Sequence, residues 1–229
     1  MKKMIITIIL IMCFLVNINV YADNSDVSVY KDELIRLNIL DEDDFSNSDT
    51  ITRGDCLIAI IRAIGITDND ISRFDGADFM PFVDTASFSY FGYAYMAEIA
   101  YGEKCVVDYP TYRSTHMRTN WDYFFFPERA VTVKETLAFM VRCLEKERNE
   151  SLEYAIEKAE EYGLIKDNDT FIDKSDSTLS QDDFYVLLNR FLQQKRYKYY
   201  DSLGSVGIEV YFDEDRSISY FEMLEQRID

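Results

Sequence analysis

The residue types that could do chemistry in this chain are sparse in some classes and crowded in others. There is one histidine, His116, set among Arg113 and Arg118; nearby cations would lower its pKa, but no nucleophile is spaced for it to activate. The chain holds 42 Asp and Glu, so neighbouring carboxylates in sequence do not by themselves indicate the fixed spatial pair a glycosidase needs. Two acidic runs, Asp41-Glu42-Asp43-Asp44 and Asp167-Asn168-Asp169 with Asp173, are rich in oxygen. Neither has the glycine at the sixth place or the glutamate at the twelfth of a calcium loop, and both read as solvated loops. No glycine-rich phosphate cradle is present. These patterns predict no catalytic residues, no metal ligands and no cofactor.

Cys56, Cys105 and Cys143 are spaced by neither a zinc nor a redox pattern. Cys56 and Cys143 fall inside apolar helical patterns, where a small buried hydrophobe is favoured over a disulfide. Aromatic residues are crowded: the 39 residues from Phe88 to Phe126 contain 13 Phe, Tyr or Trp. Phe91, Tyr95 and Phe124 to Phe126 suit a core. Tyr109, Tyr112, Trp121 and Tyr123, with Arg113 and Arg118, have polar neighbours and the composition of an interaction surface.

The elements that position these residues are helical. Three segments repeat one signature: Ile51-Thr52-Arg53-Gly54-Asp55, Val131-Thr132-Val133-Lys134-Glu135 and Leu179-Ser180-Gln181-Asp182-Asp183. An apolar residue precedes a hydroxyl, and a carboxylate follows three places later, as in a capping box. Five, eight, nine and twelve places after the hydroxyl come Leu57, Ile60, Ile61, Ile64; Leu137, Met140, Val141, Leu144; and Tyr185, Leu188, Asn189, Leu192. The stripe is unbroken in two of the three and marks a core-facing helix side. Arg62, Arg142 and Arg190, ten places on, fall off the stripe and read as helix-edge ion pairs. Upstream of each cap, a second helical pattern ends in a stop: Asn38, Gly102 and Gly163, residues suited to a left-handed position. From stop to cap is 14, 30 and 17 residues, which implies an insertion near Glu103 to Asp122.

Two-helix units of this size cannot bury their apolar faces alone, so three of them should share one core. The repeats run over about 27–66, 82–147 and 150–194, within a domain of 23–196. A C-terminal extension, 197–229, contains a strand pattern at Val206 to Phe212 and a helix pattern from Ser219 to Ile228. At the other end, Lys2-Lys3, the apolar run Met4 to Val16 and Val20-Tyr21-Ala22 read as a signal peptide, 1–22, with an uncleaved anchor as the alternative. A net charge of −18 disfavours nucleic acid and anionic membrane surfaces as partners.

These residues resemble the S-layer homology family. The resemblance is carried by Leu37-Asn38-Ile39-Leu40, Phe45, Ile51-Thr52-Arg53-Gly54-Asp55 and Ile61-Arg62-Ala63-Ile64-Gly65 in the first repeat. Phe82-Val83-Asp84-Thr85 and Phe126-Pro127 carry it in the second, Tyr162-Gly163-Leu164-Ile165 and Ser180 in the third. It implies a mostly α fold of three helix-loop-helix repeats in a pseudo-threefold bundle. It also implies a non-enzymatic protein, secreted and held on the wall or surface of a bacterium by secondary cell-wall polysaccharide. Arg53, with Thr52 and Asp84, would line the sugar site; the positions equivalent to Arg53 are Val133 and Gln181. The alternative is a degenerate copy of this fold that binds another envelope protein through the aromatic insertion. In either case no membrane insertion is expected once the leader is cleaved.

Overall fold

A computed structural model describes residues 27–45, 50–67, 110–113, 121–123, 125–145, 152–169, 171, 176–196, 198–203, 207–212 and 217–228. The signal segment 1–22, the Phe82 to Thr85 motif and the Gly102 stop lie outside the described residues. What is described is mostly helical: α1 (Val27–Arg36), α2 (Arg53–Ala63), α3 (Val133–Leu144), α4 (Leu152–Glu161), α5 (Gln181–Leu192) and α6 (Tyr220–Ile228). Two antiparallel hairpins join them, β1 (Pro110–Arg113) with β2 (Trp121–Tyr123), and β3 (Lys198–Leu203) with β4 (Gly207–Phe212). No helix among the described residues is long and apolar enough to cross a membrane.

The three predicted caps start α2, α3 and α5. Thr52, Thr132 and Ser180 have extended backbone, and their hydroxyls accept from the backbone N–H of Asp55, Glu135 and Asp183. Only the second is a reciprocal box, with the Thr132 N–H donating to Glu135 Oε2 at 3.0 Å. Asp55 and Asp183 are one methylene shorter than Glu, and their carboxylates instead accept a hydrogen bond from the cap hydroxyl, both at 2.6 Å.

The stops also form as expected. Asn38 (φ 57°) and Gly163 (φ 67°) adopt the left-handed conformation that lets the next amide turn back onto the helix. Ile39 N–H donates to Leu34 O at 2.9 Å, and Leu164 N–H to Ala159 O at 2.8 Å. The turns that follow are closed alike: Asp41 N–H donates to Asp44 Oδ2 and Lys166 N–H to Asp169 Oδ2, each at 2.7 Å. Both acidic runs thus spend a carboxylate on closing their own backbone turn.

Between the caps, short backbone bridges link segments far apart in sequence. Thr52 bridges Ala130, Thr132 bridges Thr178, and Ser180 bridges Thr50, so each cap residue meets the residue two before another cap. Val131 N–H donates to Ile51 O and Leu179 N–H to Val131 O, both at 2.9 Å. Above this junction α1 packs on α5 and α4 on α3, while α2 touches both α3 and α5. Leu57, Ile60, Ile64, Met140, Leu144, Leu188 and Leu192 are all buried in one continuous core, as the stripes predict. Cys56 and Cys143 are buried there as free thiols.

The far end of the core is closed by α6. Tyr220, fully buried, donates its hydroxyl to Cys143 O at the end of α3 and stacks on Phe191 of α5 at 5.0 Å between centroids. Gly65 (φ 86°), just past α2, receives α6 so closely that a Cβ there would lie 2.8 Å from Met223 Cε. Ser219 and Glu222 form another reciprocal capping pair: Glu222 N–H donates to Ser219 Oγ at 3.1 Å, and Ser219 N–H to Glu222 Oε2 at 2.6 Å. Ile218-Ser219-Tyr220-Phe221-Glu222 is thus a further copy of the cap signature, bridged through Lys195 and Ser219.

Candidate functional site

Arg53 opens α2, one residue past its cap. There the chain turns the side chain inward, and it is 1% exposed. Its Nη1 donates to Glu135 Oε1 at 2.6 Å and its Nε to Phe125 O at 2.8 Å. The guanidinium lies over the rings of Phe125 and Phe139, 5.1 and 5.5 Å from their centroids. Glu135 also accepts from Arg129 at 2.5 Å, besides its capping bond. A side chain assigned to a sugar by the resemblance is therefore a tie between α2, α3 and the Phe125 loop, with its donors directed at protein acceptors. Gln181, the equivalent residue of α5, does the same work without charge: Gln181 Nε2 donates to Phe45 O at 2.8 Å. Thr52 remains half-buried as the cap.

Asp84, Tyr109 and Arg118 lie outside the described residues. Tyr112 and Arg113 are on β1, Trp121 and Tyr123 on β2. The register places Arg113 opposite Trp121, Tyr112 opposite Asp122 and Pro110 opposite Tyr123, with an irregularity between Pro110 and Tyr112. The hairpin therefore gathers four of the six proposed interaction residues into one small ribbon. His116 and Cys105 fall outside the described residues.

The helix-edge arginines differ from one another. Arg62 reaches Ile39 O at 3.4 Å and Asp41 at 3.6 Å. Arg190 makes a forked pair, Nη1 to Asp169 Oδ2 at 2.5 Å and Nη2 to Oδ1 at 2.9 Å, and also donates to Leu164 O at 2.9 Å. Arg142 is buried rather than at an edge, because the side of α3 it occupies is covered.

Beside Arg190 lies a groove of about 490 Å³ between α1, the turn after α4 and the C-terminal half of α5. Tyr30, Tyr162, Asn168, Asn189, Gln193 and Gln194 are among its lining residues. The side-chain amides of Asn168, Asn189 and Gln193 make no hydrogen bond within the described protein. A similar groove of about 480 Å³ lies at the corresponding turn after α1, where Leu224 and Ile228 of α6 give it an apolar wall. The sequence signal for the first groove was Asn189, the one polar residue in the three helix stripes.

Cys56 is buried within α2. Burial pushes the Cys56 thiol up to about 12, against the smaller opposing effect of its contact with Thr136. Among the described residues no cluster of His, Cys, Asp or Glu could hold a metal ion. No protein-family model matches the chain, and no curated protein matches it.

Proposed function

We propose that this is a non-enzymatic, secreted cell-envelope protein whose three capped units form a degenerate, pseudo-threefold S-layer-homology-like bundle that associates with wall polysaccharide. The observation that carries the reading is the cyclic set of bridges, Thr52 to Ala130, Thr132 to Thr178 and Ser180 to Thr50. The matching Asn38 and Gly163 stops support it, each with the same hydrogen bonds around it. Arg53 acts in this reading as an internal tie, and carbohydrate meets the bundle in the grooves beside the stops. Incubation with purified sacculi tests it: the protein should sediment with intact sacculi and stay in solution once wall polysaccharide has been removed. Retention by stripped sacculi, or none by intact ones, would refute it.

A second reading is favoured by the register of β1 and β2, which sets Arg113 against Trp121. In this reading the fold serves a protein partner, and the ribbon is its contact. Tyr112→Ala with Trp121→Ala should then leave the melting temperature unchanged and abolish a partner recovered by surface crosslinking.

A further inference from the structure

The groove between α1 and α5 has a chemistry that selects among saccharides. Its strongest cation, Arg190, is spent: both carboxylate oxygens of Asp169 and the carbonyl of Leu164 accept its hydrogen bonds, and the pair is largely buried, 17% and 10% exposed. That forked pair is a rigid, neutral floor rather than an anion receptor. The amides of Asn168, Asn189 and Gln193 are uncommitted, and Gln194 uses its Nε2 on Arg190 O. Each carboxamide offers two N–H donors and one acceptor oxygen, which matches adjacent hydroxyls that both donate and accept. Tyr30 and Tyr162 add aromatic surface, able to take the C–H face of a pyranose ring. Besides the paired Arg190, Lys166 is the one cationic residue in the lining, on a chain of net charge −18, so an anionic ligand would find little counter-charge there.

We infer that this groove binds an uncharged saccharide, with Asn189 and Gln193 holding ring hydroxyls and the tyrosines holding the ring face. The inference rests on the wall-polysaccharide reading for its source of ligand, but it fixes the ligand's charge and place independently. Asn189 is half-buried on α5 and Gln193 is exposed at its C-cap, and since neither side chain makes a hydrogen bond within the described protein, replacing both by Ala removes none.

The test uses the whole protein and polysaccharide released from sacculi, separated on an anion exchanger into neutral and acidic fractions. Calorimetry should give binding of the neutral fraction that changes less than twofold between 50 and about 500 mM salt, since no ion pair is formed. Asn189→Ala/Gln193→Ala should weaken it at least tenfold with an unchanged melting temperature. Binding confined to the acidic fraction overturns the inference and leaves the wall reading standing. Neutral binding unaffected by the double variant does the same, because the site is then elsewhere. Binding of neither fraction overturns both.

Discussion

Replacing Arg53 by methionine separates an internal tie from a ligand-facing cation. Methionine keeps much of the packing volume between Phe125 and Phe139 and deletes the charge. The Phe125 carbonyl, which accepts Arg53 Nε at 2.8 Å, then loses its donor inside the core, at a cost of about 1–3 kcal/mol. Breaking a buried ion pair by removing one partner costs about 3–5 kcal/mol. Here Glu135 keeps Arg129 at 2.5 Å and the Thr132 amide at 3.0 Å, and the Arg129 side chain is 45% exposed, so part of that compensation survives. The low end applies, and the expected loss is about 3 kcal/mol. For a chain of this length that lowers the melting temperature by roughly 6–12 °C. Urea unfolding of the wild type, Arg53→Met, Glu135→Leu and the double variant should give a coupling of about 2 kcal/mol between the two sites. A melting temperature within about 2 °C of wild type for Arg53→Met would refute the reasoning and return the guanidinium to solvent, where a ligand could reach it.

Three further outcomes follow from the packing. Tyr220→Phe should cost about 1 kcal/mol by removing its hydrogen bond to Cys143 O, and Tyr220→Ala about 3–5 kcal/mol by opening the core beneath α6, both read by urea unfolding. Glu222 is held below its ordinary value of 4.5, first by the Ser219 backbone and then by its hydroxyl. Its stabilising effect is therefore complete above pH 4.5 and is lost as pH falls through the lowered value. The difference in melting temperature between wild type and Glu222→Gln should shrink from pH 6 to about pH 3, and a constant difference would refute the linkage. With its thiol pushed up to about 12, Cys56 should resist iodoacetamide at pH 8 until denaturant is added, as followed by peptide mass spectrometry; rapid labelling of the native protein would contradict its burial.

The capped helices were legible in the sequence because each cap is a local device, built within four residues, and each stripe has a period that a helix imposes. Thr52, Thr132 and Ser180, the stops at Asn38 and Gly163, and the buried stripe residues all followed from such short-range patterns. The direction of Arg53 did not, because its partner Glu135 lies 82 residues away and spacing along the chain carries no information about that contact. Arg142 was misplaced for a related reason: off-stripe positions are covered when other segments pack on them. Ser219 was within reach, since Ile218 to Glu222 repeats the cap signature in full, but it stands outside the spacing of the other three. The groove left one trace, Asn189 in an otherwise apolar stripe, and its meaning depended on α1 arriving from the opposite end of the chain.

The bridge between Thr50 and Ser180 has a consequence for how the molecule comes apart. A linear array of repeats can fray from either end, because a terminal unit has one neighbour. Here the first and third capped units are neighbours as well, so neither is terminal, and loss of one unit breaks two junctions at once. Unfolding should therefore be a single sharp event rather than a progressive unravelling. Folding carries the complementary burden: the last junction closes a loop of about 130 residues, a non-local step that slows the search for the native state.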